Sequence, residues 1–410
     1  MIAGRSSGLK WFSIFLAVAA MCCLFYGFYF SRVVSNIGLF LAGVFSILHW
    51  KNTINVFKDN WYWTIFGIVI IVVLSDIWYE GLEFFTHRGV MKAALLVYPT
   101  FVFSVTSEYP KARQWIPVGI IITVLLSSIY SLSAYFSDFE NFNVSYKSSG
   151  IIPVLSYGDH IRIGWLTVIS IILAFQIWKS THYTLGHIFL FSFVLFEVIF
   201  LHILGSKTGL ITLYIALFIL LLFHFPRRFK WVFPLIIIFV LSLPIVAYYY
   251  VPTFTERVNF MKYDYEFYSR GEYRLGLSDA VRFFSLKAGS DLIKDAPIVG
   301  HGFSNTLSVT REWYAQNKPS VPLTSQFIPS SQYILYWVGG GILGIVLLLW
   351  HVVLPFSKKR CRSNAYFLSF FTGAVISFLF ETPLESQLPL FIYGFFLAWF
   401  WYSANDFDSV

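Results

Sequence analysis

The sequence predicts an all-α, polytopic membrane protein of about twelve transmembrane helices, with one large periplasmic loop that contains short helices. Three observations carry this prediction. Of the 410 residues, 57% are hydrophobic and only 12% charged, and mean hydropathy is +0.69, a balance that a water-soluble chain of this length does not sustain. Apolar runs long enough to cross a bilayer recur along the whole chain. Basic residues gather in alternate connections between those runs, as the positive-inside rule requires.

In order, the predicted spans run from Lys10 to Phe30, Val34 to Trp50, Trp61 to Tyr79, Val90 to Thr106, Trp115 to Phe136 and Ile163 to Trp178. They continue from Tyr183 to Leu204, Thr208 to Phe225, Trp231 to Val251, Gln332 to Phe356, Ala365 to Phe380 and Leu388 to Tyr402. Arg5 and Lys10 precede the first, and with no small-residue cleavage site after it, that run reads as a retained span. With the N-terminus in the cytoplasm, the inner loops hold Lys51, Lys58, Lys111, Arg113, Lys179, Arg227, Arg228, Lys230, Lys358, Lys359, Arg360 and Arg362. Both termini are then cytoplasmic. The opposite loops hold Arg32, the Glu80 to Arg88 turn, Asp138 to Arg162, Ser206 with Lys207, and a long stretch from Pro252 to Pro329. This divides the chain into N-terminal spans (1–251), a large outer loop (252–329) and C-terminal spans (330–410).

The net charge of +8 is spread over short loops, which topology explains better than nucleic-acid binding. Cys22, Cys23 and Cys361 match neither a disulfide framework nor a zinc site. No metal-ligand cluster and no nucleotide-type glycine loop is present, so no cofactor is expected.

Long loops are usually functional or disordered, and the outer one carries a helical pattern. Val281, Phe284, Ala288 and Leu292 recur at helical spacing, with Ser278 and Asp279 as capping residues and Pro297 past the end. This predicts an amphipathic helix from Ser278 to Asp295, lying along the membrane surface. Arg282 sits beside its apolar stripe, either reaching toward a lipid headgroup or snorkelling. Gly300, His301 and Gly302 form a tight turn, open enough to approach a ligand.

Arg282, Ala288 and Pro297-Ile298-Val299-Gly300-His301-Gly302 resemble the loop signature of the O-antigen ligase and polymerase superfamily, in which an arginine precedes a glycine turn at this separation. Gly205-Ser206-Lys207-Thr208-Gly209-Leu210 resembles that family's "SRTGL". Pro329 to Ile334 with Gly339 to Gly344 resembles "HNqyL…GiiGl", and Phe380 to Gln387 resembles "ES.LErQ". These four signals cover roughly the C-terminal half, with residues 205–251 and 252–402 forming the ligase-like region.

The resemblance implies a metal-independent glycan transferase that moves an undecaprenyl-diphosphate-linked glycan onto an acceptor at the periplasmic face. The acceptor is the lipid A core in a ligase and another lipid-linked unit in a polymerase; the Phe380 to Gln387 element favours the ligase. Lys207, Arg282, Arg162 and Arg274 would hold the diphosphate. Where the family has arginine, this chain has Lys207. Where it has histidine and asparagine before the last motif, this chain has Ser330 and Ser331. Either the base that takes the acceptor proton comes from His301, His160, Glu381 or Glu385, with His301 first, unless Glu381 and Glu385 only pair with Arg282 or Lys207, or the acceptor chemistry differs, or the chain is inactive. Glu197, deep in a span, reads as part of a polar track with His202 or as a hydrogen-bonded packing residue. A transporter is the main rival class, although no internal repeat supports it; a catalytically lost scaffold is a third.

Overall fold

The computed structural model describes residues 7–80, 89–148, 150–156, 159–181, 183–225, 231–274 and 276–403. Arg5, Arg88, Arg227, Arg228 and Lys230, and most of the Glu80 to Arg88 turn, lie outside the described residues. Among those described, every regular element is helical. The first half of the chain supplies α1 (Ser7–Phe30), α2 (Arg32–Leu48), α3 (Trp50–Val56), α4 (Asn60–Glu80), α5 (Gly89–Glu108), α6 (Ala112–Ser137), α7 (Phe139–Ser145), α8 (His160–Trp178) and α9 (Thr184–Leu204). The second half supplies α10 (Lys207–His224), α11 (Val232–Tyr250), α12 (Pro252–Ser269), α13 (Ser278–Asp295), α14 (Thr306–Asn317), α15 (Gln332–Ser357), α16 (Lys359–Ser363), α17 (Ala365–Ser377) and α18 (Gln387–Ser403).

Each of the twelve predicted spans coincides with a helix, but the number long and apolar enough to cross a bilayer is smaller. Among the described residues eight qualify (α1, α4, α6, α8, α9, α10, α11 and α15), and α2 with α3 makes a ninth if that pair, bent by 100°, is one span. α17 and α18 are short, at 13 and 17 residues, and α5 carries Lys92, Pro99 and a row of hydroxyl side chains. α18 owes its apolar sequence to burial inside the bundle, since every residue from Leu388 to Tyr402 is buried. Hydropathy alone cannot tell that from contact with lipid.

The helix ends fall into two groups. At one end, Tyr146 Oη donates to the Leu204 carbonyl (3.0 Å), Thr253 Oγ1 to Ile203 (2.8 Å) and Ser156 Oγ to Phe28 (3.0 Å). At the other, Asp59 accepts from Arg360 Nη2 (3.0 Å) and Trp401 Nε1 (2.7 Å), and Glu108 from Asn52 (3.3 Å). Residues 252–331 sit at the first end, where α12, α13 and α14 close over their own apolar cluster of Phe260, Phe267, Phe284, Trp313 and Tyr314. α13 covers the predicted range, and its stripe of Val281, Phe284, Ala288 and Leu292 is buried. The stripe expected to face lipid instead packs, at Phe284 and Ala288, against side chains of α12 and α14.

Two close approaches set the frame. Gly164 of α8 and Gly209 of α10 let those helices meet so tightly that a Cβ on Gly164 would lie 2.8 Å from Ser206 Oγ. α15 is broken at Gly341, whose φ of 58° is left-handed. A break inside an apolar helix strands backbone groups that need partners. The turn after α13 supplies them: His301 N–H donates to Val338 O (2.7 Å), Gly302 N–H to Gly339 O (2.9 Å), and Ile342 N–H to Ile298 O (3.1 Å). The glycine turn was expected to open toward a ligand, but protein fills that space. A Cβ on Gly300 would meet Gly341 N at 2.5 Å, and one on Gly302 would meet the Tyr79 ring at 2.4 Å.

Gly341→Ala would combine a left-handed backbone with a Cβ 2.1 Å from the Ile298 carbonyl oxygen. It should cost about 1–3 kcal/mol, lowering the unfolding midpoint in detergent. An unchanged midpoint would contradict the docked-turn geometry.

Candidate functional site

The ends of α8, α10, α13 and the segment after α17 converge where the two glycines bring α8 against α10. Arg162 lies in the first turn of α8, whose N-terminus is capped by Asp159, its carboxylate accepting from Arg162 N–H at 3.3 Å. Burial pushes the Asp159 carboxyl up, and the adjacent Arg162 charge pulls it back down. Lys207 begins α10 behind the cap Ser206, which follows the left-handed Gly205.

α13 is capped in a way its own sequence does not reveal. Ser278 and Asp279 were the expected caps, yet neither side chain caps the helix. Asp264 of α12 reaches across instead and accepts from the N–H groups of Asp279 (2.6 Å) and Ala280 (2.9 Å), a contact worth about 1 kcal/mol by analogy with local caps. Burial pushes the Asp264 carboxyl up, while these two N–H groups pull the other way. Asp279 is thereby free to face Lys207 Nζ at 2.5 Å.

Glu381 is the centre of the cluster. Its Oε1 lies 2.9 Å from Arg282 Nη2 and accepts from Thr208 Oγ1 at 3.3 Å, and its Oε2 lies 3.9 Å from Arg162 Nη1. The side chains of Glu381, Arg162 and Arg282 are 13%, 15% and 31% exposed, so the group is sheltered yet open on the Arg282 side. Lys207 feels the charges of both Arg282 and Arg257, which joins the Lys207–Asp279 pair to the Glu381 group. Arg257 stacks over the Tyr146 ring at 4.8 Å, and its Nη2 donates to the Gly150 carbonyl at 3.0 Å. Burial lowers the affinity of its guanidinium for a proton, but an arginine remains charged. Arg162 Nε and Arg257 Nε are buried donors with no hydrogen-bond partner among the described residues. Such groups are rare and call for an explanation.

Thus Lys207, Arg162, Arg282 and Glu381 come together, whereas two other expected residues do not. Arg274 is exposed, donating to Tyr263 Oη at 3.0 Å and lying over the Phe267 ring at 4.5 Å. His301 sits at the far end of α13, its Nε2 2.9 Å from the Leu292 carbonyl. Leu292 is ten residues past Arg282, which is about 15 Å along the helix. Ser330 abuts Ser285, one turn past Arg282: Ser285 Oγ is 2.9 Å from Ser330 Oγ and accepts from Ser330 N–H at 3.1 Å. His160 opens α8 beside Asp159.

Glu385 pairs with neither Arg282 nor Lys207. It accepts from the fully buried Lys92 at 2.6 Å and from Gln332 Nε2 at 3.2 Å, and the Lys92 ammonium also lies 5.2 Å from the centre of the Phe303 ring and 5.5 Å from that of Tyr336. A buried cation needs this many partners to offset its lost hydration. Gln332 completes the lock, its N–H donating to Phe378 O and Glu381 O and its Oε1 accepting from Leu384 N–H. The segment presenting Glu381 is thereby held in place. Glu197 accepts from Ser128 at 2.8 Å, while His202 bonds to Val198 O and Tyr214 Oη, so these two do not contact each other as a direct polar track. Arg257, Asp264 and Lys92 escaped sequence reasoning. Each acts through a partner at least 15 residues away, and no local pattern marks it.

A family model described as "O-Antigen ligase" matches residues 190–349, from within α9 to within α15. That stretch includes Lys207, Arg257, Asp279, Arg282 and Ser330, while Arg162 and Glu381 lie outside it. The search of curated proteins finds no significant match. The helical membrane architecture, the charged cluster and the matched segment point the same way: over residues 190–349 this chain is similar to the O-antigen ligase family.

Proposed function

We propose that the chain transfers a glycan from an undecaprenyl diphosphate donor to an acceptor at the periplasmic face of the bacterial inner membrane. The favoured reaction is ligase-type transfer to the lipid A core. The observation that carries this reading is the Glu381 carboxylate set between Arg282 and Arg162, with Lys207 alongside. In the resting state the arginines share that carboxylate. An arriving diphosphate carries more negative charge than one carboxylate and presents oxygens suited to guanidinium forks. Arg282 and Arg162 turn to it, with Lys207 and Arg257 beside them.

That exchange leaves Glu381 to act as base. The acceptor hydroxyl attacks the anomeric carbon of the donor sugar, and its proton passes to Glu381. The bond from the sugar to the diphosphate oxygen breaks, and the leaving group departs with the electron pair, stabilised by the cations. His301 becomes a positioning residue that ties the turn to the end of α13, and Ser330 fills the family histidine's place without its chemistry. Arg274 is left as an outer cation on the approach. The periplasmic location rests on the positive-inside pattern, since the opposite end of the bundle bears Lys58, Lys179, Lys359 and Arg360.

With purified protein, lipid-linked donor and acceptor, Arg282→Ala and Glu381→Gln should each lower the transfer rate by about 100-fold or more. His301→Ala should lower it by less than about tenfold, because its hydrogen bond orients the turn without touching the reacting atoms. Equal losses in all three would restore His301 as the base. Transfer should proceed without nucleotide and persist in chelator. Gene deletion followed by glycan analysis separates the acceptors: polymer stranded on the carrier lipid marks a ligase, single repeats on the core mark a polymerase, and unchanged glycan refutes both.

A further inference from the structure

The turn that closes on the break in α15 carries an exposed apolar tip. Ile298 and Val299 are 71% and 70% exposed, Pro297 before them is also exposed, and Gly300 behind them is buried. Adjacent aliphatic side chains held this far out mark a surface that meets an apolar partner. The tip is pinned to α15 on both sides: Trp337 Nε1 donates to Pro297 O at 3.1 Å, and Ile342 N–H donates to Ile298 O at 3.1 Å.

Its depth in the bilayer follows from α15. Below the break, residues 342–357 extend about 24 Å, close to the roughly 30 Å of a bilayer's hydrocarbon. The basic stretch that starts at Lys358 marks the far boundary. Ile342 therefore lies just inside the boundary on the Glu381 side, and Trp337 falls at headgroup level, where tryptophan is favoured. Ile298, bonded to Ile342, shares that depth. Ile342, Leu343, Val346 and Val353 of α15 are exposed as well, so the tip continues a surface that faces acyl chains. Charge returns just before the tip. The Lys294 side chain is 75% exposed and Asp295 is exposed, and a lysine there reaches lipid headgroups.

We propose that residues 297–299 insert into the leaflet on the Glu381 side and pack against phospholipid acyl chains, anchoring the outer helices to the bilayer. α13 runs back from the tip alongside the outer turns of α15. Ser285 Oγ meets Ser330 Oγ at 2.9 Å, and a Cβ on Gly289 would lie 2.4 Å from Ile334 Cγ2. The depth of the tip thus sets the height at which Arg282 stands above the hydrocarbon. This inference rests on the length of α15 and the exposure of the tip, and does not depend on glycan transfer.

The test places the full wild-type chain in phosphatidylethanolamine nanodiscs doped with a phosphatidylcholine that carries a diazirine on one acyl chain. Illumination followed by peptide mass spectrometry should give lipid adducts on residues 297–299 and on the exposed face of α15 below the break, and none on the exposed Ser290 of α13. In parallel, nitroxides are attached to Ile298→Cys, Val299→Cys, Ser290→Cys and Val353→Cys in a Cys22→Ser, Cys23→Ser, Cys361→Ser background. At 298 and 299, as at 353, oxygen should relax the label more than a water-soluble nickel complex does; at 290 the order should reverse. The crosslinking uses the unaltered chain, so it decides even where a labelled variant fails to fold. Absence of adducts on the tip, or a label there that nickel relaxes more than oxygen, would overturn the proposal. A label at 298 shielded from both reagents would show that protein covers the tip and would equally overturn it. Adducts that vanish when a polyprenyl diphosphate is added would assign the tip to that chain instead of bilayer lipid, with the same result.

Discussion

The Glu381 carboxylate joins parts of the chain that are hundreds of residues apart. Arg282 approaches from the outer helices, Arg162 from α8 and Thr208 from α10, and all three meet its two oxygens. Ions this sheltered are costly to hold, and the arrangement persists only because opposite charges and hydrogen bonds offset the loss of water. Removing any member leaves a charge without its partner, so the cluster ties the outer helices to the membrane bundle as well as shaping the site.

Two rigid supports hold Glu381 where the arginines can reach it. On one side, Gln332, Glu385 and the buried Lys92 form a closed network that fixes the segment from Phe378 to Glu385. On the other, the broken α15 and the turn after α13 satisfy each other's backbone groups, fixing the far end of the helix that carries Arg282. The glycines at 164 and 209 do the rest by seating α8 against α10. Charge placement in this protein therefore depends on backbone geometry some distance from the charges.

Much of this was legible in the sequence, for physical reasons that differ from residue to residue. The limits of α13 follow from its apolar stripe and the proline beyond it, because helical periodicity is a local property. The twelve apolar runs are helices for the same reason; among the described residues eight or nine meet the length and hydropathy of a span, and burial inside protein and contact with lipid select the same side chains, as α18 illustrates. Arg282, Lys207 and Glu381 could be picked out because the resemblance carried their positions. Arg257 and Asp264 could not, since each acts on residues contributed by another helix, and Asp279 looked like a cap because its true partner is 72 residues earlier in the chain. His301 attracted attention as a titratable group in a glycine turn, yet the turn serves the break in α15, which only the assembled fold brings beside it.

Equilibrium binding of a polyprenyl diphosphate to the purified protein measures directly the proposed exchange, by the arginines, of a carboxylate for a diphosphate. Glu381→Gln removes the competing charge, so it should bind the diphosphate at least as tightly as the wild type while failing in glycan transfer. Arg282→Ala should bind it about 10- to 100-fold more weakly. If Glu381→Gln instead weakened binding as much as Arg282→Ala did, or if Arg282→Ala bound normally, the carboxylate would not be standing in for the substrate's phosphates and the proposed exchange would be wrong.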